Sequence, residues 1–136
     1  MKTILVICTG NSARSQMMEG LLNHFGHGNI HAQSAGIQPS TVNPFAVQAM
    51  AEIGIDISNH RSKSIDEFIN QNFDVVLTVC DSAKETCPFF PGEKIIHKSF
   101  EDPAALVGSD EEKLQLFRKI REEEAVWAKE FIKNNR

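Results

Sequence analysis

The feature that most constrains this chain is a change of pattern close to its N-terminus. Residues Thr3–Ile7 have the sequence TILVI, a β-branched and apolar run that is typical of a strand buried on both faces. A polar loop, CTGNSARS, follows over Cys8–Ser15. Beyond the loop, apolar residues recur at helical spacing: Met17, Met18, Leu21, Leu22 and Phe25. The pattern predicts a strand, a short loop and a helix, which together begin a parallel βα arrangement.

The rest of the chain alternates between the same two patterns. Further strands are predicted at Ile30–Ser34, Phe73–Val79 and Lys94–His97. Further helices are predicted from Asn43-Pro44 to about Gly54, over Ser64–Asn70, and from near Ser109 onward. Strands that alternate with helices imply a parallel sheet covered on both faces. We therefore expect one domain over residues 1–136, an α/β fold with three layers (α/β/α) around a four-stranded parallel sheet.

The loop after the first strand contains the residues of an oxyanion site. Ligands bind at the carboxyl ends of strands in such sheets, and both a Gly-containing loop and a helix start attract anions. Arg14 can clasp an oxyanion bidentately, the positive surroundings favour the nucleophilic thiolate of Cys8, and Ser15 can donate a hydrogen bond to it. The alternative is a buried structural cysteine before an ordinary turn. We predict that Cys8 is catalytic and that the substrate lies on the following residues: Thr9, Gly10, Asn11, Ser12, Ala13 and Arg14.

Two further cysteines occur after a second predicted strand. Cys80 directly follows Phe73–Val79, as Cys8 directly follows the first strand. If the two strands are parallel neighbours, about 4.8 Å apart, both thiols emerge at the same edge of the sheet. If Asp81–Thr86 is helical, Cys80 and Cys87 are about 10 Å apart along the helix axis, so a disulfide between them requires this segment to rearrange. The alternative interpretation is that both are small buried apolar residues.

Composition excludes several classes of protein. The formal net charge of −4 argues against broad binding of nucleic acid, because a phosphate backbone requires a basic face. No apolar run approaches the roughly 20 residues that span a bilayer, and the apolar start ends in a polar loop without a suitable cleavage region. The odd count of three cysteines does not suit a stable disulfide framework. We expect a cytoplasmic monomer without a nucleic-acid or membrane partner.

Two other patterns are interpreted as structural. His24, His27 and His31 are interrupted by glycines and lack a Cys or carboxylate to complete a tetrahedral set, so we expect no metal site and no cofactor. The charge run RKIREEE over Arg118–Glu124 is interpreted as the solvated face of the last helix.

Six segments occur together along the chain: CTGNSARSQM (8–17), QSAG (33–36), IDISNH (55–60), VLTVC (76–80), Cys87-Pro88 and EDPA (101–104). With them the chain resembles the thioredoxin-coupled arsenate reductases, which share the fold of the low-molecular-weight protein tyrosine phosphatases. The resemblance extends from the first strand to the last helix. It implies a low-molecular-weight phosphatase-like fold.

The resemblance also implies a relay of three cysteines that reduces arsenate, for which phosphate or sulfate is an analogue. Cys8 attacks arsenate held by the loop and Arg14, and Asp102 protonates the leaving oxygen. Cys80 then attacks Cys8, which releases arsenite and leaves a Cys8–Cys80 disulfide. Cys87 converts this into a Cys80–Cys87 disulfide, which thioredoxin reduces. By itself, Asp102 fits a turn, because Asp-Pro is a frequent turn pair.

The chain departs from the family pattern at two positions. Many members have an additional cysteine, outside the relay, where this chain has Ala13. Some relatives bind a monovalent cation through residues that match Asn11, Glu19 and Ser34, together with an aspartate where this chain has Lys63. We expect the Lys63 ammonium to replace that ion beside Glu19. The alternative is a solvated surface lysine.

Two other functions fit parts of the sequence. A low-molecular-weight tyrosine phosphatase would use Cys8, Arg14 and Asp102, but such enzymes usually carry an aromatic residue soon after the Asp-Pro pair. This chain has Ala104 and Ala105 there and contains no tyrosine. Weak phosphatase activity is still expected, because arsenate and phosphate are nearly isosteric. A non-catalytic redox-sensing or oxyanion-binding module would explain the thiols but leave Asp102 without a role.

Overall fold

The computed structural model describes residues 1–81 and 89–135. Within these ranges the strands are β1 (Lys2–Cys8), β2 (Ile30–Gly36), β3 (Val75–Thr78) and β4 (Lys94–His97). The α-helices are α1 (Arg14–Phe25), α2 (Pro44–Ala51) and α3 (Asp110–Asn134), and short 3-10 helices lie at Ile65–Phe68 and Pro103–Ala105. All strands are parallel, in the order β2-β1-β3-β4. The α/β fold with a four-stranded parallel sheet that the sequence predicts is confirmed.

β1 lies inside the sheet, between β2 and β3. Its apolar residues are fully buried, as the run TILVI predicts. Ile7 pairs with Thr78 of β3, and the N–H of Val79 donates to the carbonyl of Ile7 at 2.9 Å. The two strands therefore end side by side, so Cys8 and Cys80 both stand at the carboxyl edge of adjacent parallel strands.

The two faces of the sheet pack against different partners. On one face, Ile4 and Val6 belong to a core built with α1, α2 and α3. The other face belongs to a second apolar cluster, whose buried members are Leu5, Ile7, Ala35, Phe68, Phe73, Val76 and Phe90. Over the described residues this third layer contains the 3-10 helix at Ile65–Phe68, where the sequence pattern predicts a longer helix over Ser64–Asn70.

α2 and α3 begin close to the positions that the sequence predicts, and both have a capping side chain. Asn43 accepts a hydrogen bond from the N–H of Phe45 at 2.8 Å, and Pro44 occupies the first turn of α2. Ser109 and Glu112 form a reciprocal capping box at the start of α3. Within the described ranges, no helix combines the length and the apolar character needed to cross a membrane.

Part of the charge run of α3 is exposed, but the interpretation of the whole segment as a solvated face is wrong. Arg118 donates to both carboxylate oxygens of Glu52, with its shortest distance at 2.6 Å, and Arg121 donates to Glu52 at 2.9 Å. Glu124 is 0% exposed. The physical reason is helical spacing, because Glu124 lies four residues after the buried Ile120 and therefore on the same face of α3.

Candidate active site

The loop between β1 and α1 is held by the segment that follows β2. Three of its carbonyl groups accept backbone hydrogen bonds, at 3.0, 3.1 and 2.9 Å respectively: Thr9 from Gln38, Gly10 from Ser40, and Ser12 from Asn43. Carbonyl oxygens that face a bound anion would repel it. Because these oxygens are occupied by N–H donors of a neighbouring segment, the loop is compatible with an anionic ligand.

Two backbone features fix the loop against the end of β2. A side chain at Gly36 would place its Cβ 2.5 Å from the carbonyl oxygen of Thr9 and 2.9 Å from the nitrogen of Asn11. Asn11 has a φ of 48°, in the left-handed region that few residues other than glycine adopt. Its side-chain oxygen accepts hydrogen bonds from the N–H of Lys63 at 2.8 Å and from Nε2 of Gln16 at 2.9 Å. These bonds offset the strain of the left-handed backbone.

A chain of hydrogen bonds leads from Asn11 to Cys8. The backbone N–H of Lys63 can only donate, so the Asn11 atom that it contacts is the oxygen, and Nδ2 points the other way. Nδ2 donates to Oγ of Ser15 at 2.7 Å, and this Oγ lies 2.9 Å from Sγ of Cys8. An ionised sulfur can only accept, so when Cys8 is a thiolate the single proton of Ser15 is directed to it. The Ser15 hydroxyl therefore faces the sulfur of Cys8 within a cluster of three buried side chains.

Arg14 and Asp102 meet beside the loop. Arg14 is 3% exposed, donates to the carbonyl of Phe100 at 3.3 Å, and places Nη2 3.6 Å from Oδ2 of Asp102. The other oxygen of Asp102 accepts from the N–H of Ala104 at 3.0 Å and caps the 3-10 helix at Pro103–Ala105. Asp102 therefore closes a turn with one oxygen and faces Arg14 with the other.

Cys8, Arg14 and Asp102 line one open cleft of about 590 Å³. The loop residues Thr9, Gly10, Ser12 and Ala13 also line this cleft. Three described residues predicted for the site do not line it: Asn11, Ser15 and Cys80. Asn11 and Ser15 are fully buried beneath the cleft and act on Cys8 through the hydrogen bonds given above.

Four polar residues of the cleft were not predicted from the sequence: Gln38, Ser40, Asp81 and Glu101. Asp81 directly follows Cys80, and Glu101 directly precedes Asp102, so their position in the sequence could have indicated that they belong to the site. Gln38 and Ser40 support the loop through backbone atoms, which leave no pattern in the sequence. Arg14 is the one cationic residue among those lining the cleft over the described ranges, so an anion must be captured locally rather than by a general positive field.

Cys80 lies shortly beyond β3, which ends at Thr78, and is fully buried. Its carbonyl accepts a hydrogen bond from Oγ of Ser99 at 3.3 Å. Cys8 is a free thiol, whereas Cys80 takes part in a disulfide. Cys87, the partner that the sequence predicts for Cys80, lies outside the described residues, as does the segment that was expected to rearrange.

The family profile described as low molecular weight phosphotyrosine protein phosphatase matches residues 3–134. The chain belongs to this family. A relative named arsenate reductase from Halalkalibacterium halodurans is 47% identical over 90% of this chain and 88% of its own length. Another relative of that name, from Bacillus subtilis, is 43% identical over 99% of this chain and 98% of its own.

Solved structures give the same result for the fold. An arsenate reductase in the phosphate binding state has a TM-score of 0.83 and 32% sequence identity, and the match covers 98% of both chains. The low molecular weight protein tyrosine phosphatase from T. tengcongensis has a TM-score of 0.78 at 28% identity, covering 98% of this chain and 99% of its own. The resemblance drawn from the sequence motifs is confirmed, since the relatives include proteins named arsenate reductase within the phosphatase family.

In this member of the low molecular weight phosphatase family, a cluster around Glu19 lies behind the oxyanion loop. Ser34 donates to Oε1 of Glu19 at 2.7 Å, and the ammonium of Lys63 is 3.8 Å from the same oxygen. Nδ1 of His60 lies 3.4 Å from Oε2 of Glu19 and 3.0 Å from Oε1 of Gln16. His60 and Gln16 were not predicted, although both stand in segments that carry the family resemblance. The Lys63 side chain is 13% exposed, which argues against the solvated alternative.

Proposed function

We propose that this chain is an arsenate reductase, with Cys8 as the nucleophile and Cys80 as the second thiol. The observation that carries the proposal is the pairing of β1 with β3. Cys8 ends β1, and Cys80 follows β3, so the two cysteines belong to neighbouring strands. Hydrolysis of a phosphate ester transfers no electrons and has no use for that thiol. The relatives named arsenate reductase, and the solved arsenate reductase in the phosphate binding state, support arsenate as the substrate.

The first proposed step joins sulfur to arsenic. The Cys8 thiolate attacks arsenate held on the loop and on Arg14, so that a sulfur–arsenic bond forms and an arsenic–oxygen bond breaks. Asp102 gives its proton to the departing oxygen, which leaves as water. Arg14 balances the negative charge on the remaining oxygens. Arsenic is still in its pentavalent state after this step.

The next proposed steps supply the electrons. The Cys80 thiolate attacks Sγ of Cys8, a disulfide forms, and the electron pair of the sulfur–arsenic bond stays on arsenic, which leaves as arsenite. Cys87 then attacks Sγ of Cys80, which forms the Cys80–Cys87 disulfide and releases Cys8 as a thiolate. The free Cys8 and the disulfide-bonded Cys80 support this order, because the relay reaches that state after its last internal exchange.

Thioredoxin is the reductant in this proposal. A third internal thiol, Cys87, leaves an intramolecular disulfide, and a dithiol protein reduces such a bond by two successive exchanges. We accordingly propose a cytoplasmic monomer, since reduced dithiol proteins are maintained in that compartment.

We also propose that Lys63 takes the place of the monovalent cation that some relatives bind. Its ammonium is 3.8 Å from Glu19 and its side chain is largely buried, so it supplies a tethered positive charge behind the loop. Turnover of the wild type should therefore be equal in potassium and sodium salts of the same ionic strength. A Lys63→Asp variant should gain a dependence on potassium, while Lys119→Asp, the same charge change on the exposed side of α3, should not. Strong potassium activation of the wild type would refute the role of Lys63.

The proposed function is tested by NADPH consumption with arsenate, thioredoxin and thioredoxin reductase. We expect sustained consumption by the wild type and its loss in Cys8→Ser and Cys87→Ser. The Cys87→Ser protein should still release about one arsenite per chain, because Cys8 and Cys80 suffice for the first exchange.

The same proteins separate the alternatives. No arsenate turnover by the wild type, together with hydrolysis of a phenyl phosphate ester that persists in Cys87→Ser, would make the chain a phosphatase. Weak ester hydrolysis alongside arsenate reduction agrees with the proposal. Loss of turnover in Asp102→Ala, with sulfate binding intact, would exclude a non-catalytic binding module.

A further inference from the structure

Two neighbouring strands end in polar side chains that meet close to Cys80. Thr78 ends β3 and His97 ends β4, and the two residues are partners in the parallel register. Oγ1 of Thr78 lies 2.6 Å from Nδ1 of His97. Ser99 follows at the two-residue spacing that puts side chains on one face of an extended chain, and its Oγ lies 3.0 Å from Nε2 of His97. The imidazole therefore bridges the end of β3 and the segment that follows β4.

This network of hydrogen bonds ends on the backbone of Cys80. Oγ of Ser99 lies 3.3 Å from the carbonyl oxygen of Cys80, and because a carbonyl can only accept, Ser99 is the donor. The oxygen of Ser99 then accepts from the Nε2–H group of His97. In the neutral ring Nδ1 carries no proton, so it accepts from the hydroxyl of Thr78. The hydrogen bonds thus run in one direction, from Thr78 through His97 and Ser99 to Cys80.

The last bond of the network continues a backbone ladder that holds the end of β3. The N–H of Lys98 donates to the carbonyl of Thr78 at 2.9 Å, and the N–H of Phe100 donates to the carbonyl of Val79 at 3.2 Å. At the next residue, Cys80, a side chain supplies the donor. Because Cys80 is 0% exposed, its peptide is fixed by the same segment that fixes the strand before it.

The proposed relay makes an unusual demand on Cys80, because its sulfur bonds to two other sulfur atoms in turn. It first attacks Cys8, when the Cys8–Cys80 bond forms and the sulfur–arsenic bond breaks, and it is then attacked by Cys87. Misplacement of a reacting group by about 1 Å can cost about 10²-fold in rate. A fixed backbone at Cys80 leaves only the rotation of its side chain to be completed before the first exchange.

We propose that His97 is a positioning residue for the second thiol. Through Ser99 it fixes the peptide of Cys80, so that the Cys80 sulfur is aligned on Cys8 once the arsenic adduct has formed. His97 is not among the described residues that line the cleft, so it acts on Cys80 rather than on the oxyanion. This inference rests on the proposed function, because it requires Cys80 to attack Cys8.

The rate of arsenite release in a single turnover measures this role. Fully reduced protein is mixed with saturating arsenate and no external reductant, and arsenite is followed over time. His97→Ala and Ser99→Ala should each release arsenite about tenfold more slowly than the wild type, because the Cys80 peptide is less well held. Both side chains are exposed, so their removal leaves the buried core intact.

Two further variants serve as rescue and control. His97→Gln keeps an amide N–H group for Ser99 and an amide oxygen for Thr78, so it should recover most of the lost rate. His31→Ala removes an exposed imidazole from β2 and should release arsenite as fast as the wild type.

Two comparisons separate positioning from a general loss of structure. The affinity for sulfate should be the same in His97→Ala and the wild type, because Arg14 is held by the carbonyl of Phe100 and by Asp102. The double variant His97→Ala/Ser99→Ala should be no slower than either single variant, because both changes break the same series of hydrogen bonds.

Each part of the proposal can fail separately. Unchanged arsenite release in His97→Ala overturns the role of His97, and so does a loss of sulfate affinity that matches the loss of rate. Effects that multiply in the double variant overturn the connection through Ser99. A wild type that binds sulfate but releases no arsenite refutes the proposed function itself, and this inference with it.

Discussion

Removal of the Ser15 hydroxyl is expected to slow the alkylation of Cys8 by about 10- to 100-fold, because the attacking sulfur anion loses the hydrogen bond that this hydroxyl donates. The hydroxyl proton is directed to Sγ across 2.9 Å, and Asn11 occupies its oxygen from 2.7 Å. A hydrogen bond to a charged group contributes about 1.5–3 kcal/mol, and each 1.4 kcal/mol is a factor of ten in an equilibrium constant. Because Ser15 is fully buried, water cannot easily replace the lost donor in Ser15→Ala.

The assay follows the rate of alkylation by iodoacetamide at about pH 6 in a Cys80→Ala/Cys87→Ala background, so that Cys8 is the remaining thiol. Ser12→Ala is the matched control, since Ser12 lines the same cleft but supports the loop through its backbone carbonyl. The control should react within about threefold of the parent, because no hydrogen bond to the sulfur is removed. Equal rates for Ser15→Ala and its parent would refute the assignment of the Ser15 proton to Cys8.

Three further predictions concern the loop and the charges of α3. Gly36→Ala should abolish sulfate binding and lower the free energy of unfolding by about 1–3 kcal/mol, because its Cβ would lie 2.5 Å from a loop carbonyl. Calorimetry and urea unfolding measure the two effects. Gly108→Ala is the control, since its Cβ would meet no atom closer than 3.4 Å. Burial raises the pKa of Glu124, so the folded state keeps a proton that the unfolded state loses, and the free energy of unfolding falls as pH rises above the usual value of 4.5. Urea unfolding should therefore show Glu124→Leu gaining stability over the wild type from acid to alkaline pH. A stability difference that stays constant with pH would contradict this. The hydrogen bond from Arg118, supported by Arg121, lowers the pKa of Glu52 to about 2. The stability that ionised Glu52 contributes is therefore present above pH 4.5 and is lost as pH falls toward about 2. Acid unfolding should show the stabilities of the wild type and Glu52→Gln converging at that pH, and a stability difference that persists would argue against the pairing.

The sheet and its helices were predictable because their signals are local. The run TILVI is apolar at consecutive positions, which suits a strand covered on both faces, and β1 is fully buried. Ser109 and Glu112 have the spacing of a capping box, and the box is present. The position of Cys8 and Cys80 at the same edge of the sheet also follows from simple rules, since Cys8 ends β1 and Cys80 lies shortly beyond the end of the neighbouring β3.

Other parts of the site depend on contacts that sequence spacing does not encode. The carbonyls of the loop are paired by backbone donors of Gln38 and Ser40, so their side-chain identity carries no signal. The direction of the Ser15 proton depends on an amide orientation set by the backbone of Lys63, far away in the chain. Glu124 was assigned to a solvated face because its neighbours in sequence are charged, whereas helical spacing places it with Ile120 and Ala128.

The most direct test of the central claim, that Cys8 and Cys80 together reduce arsenate, is a single turnover without external reductant. Fully reduced wild type is mixed with arsenate, and both arsenite and free thiols are counted. We predict about one arsenite released and about two thiols lost per chain, and no arsenite from Cys80→Ser. Arsenite released by Cys80→Ser, or no arsenite and no loss of thiols in the wild type, would contradict the account.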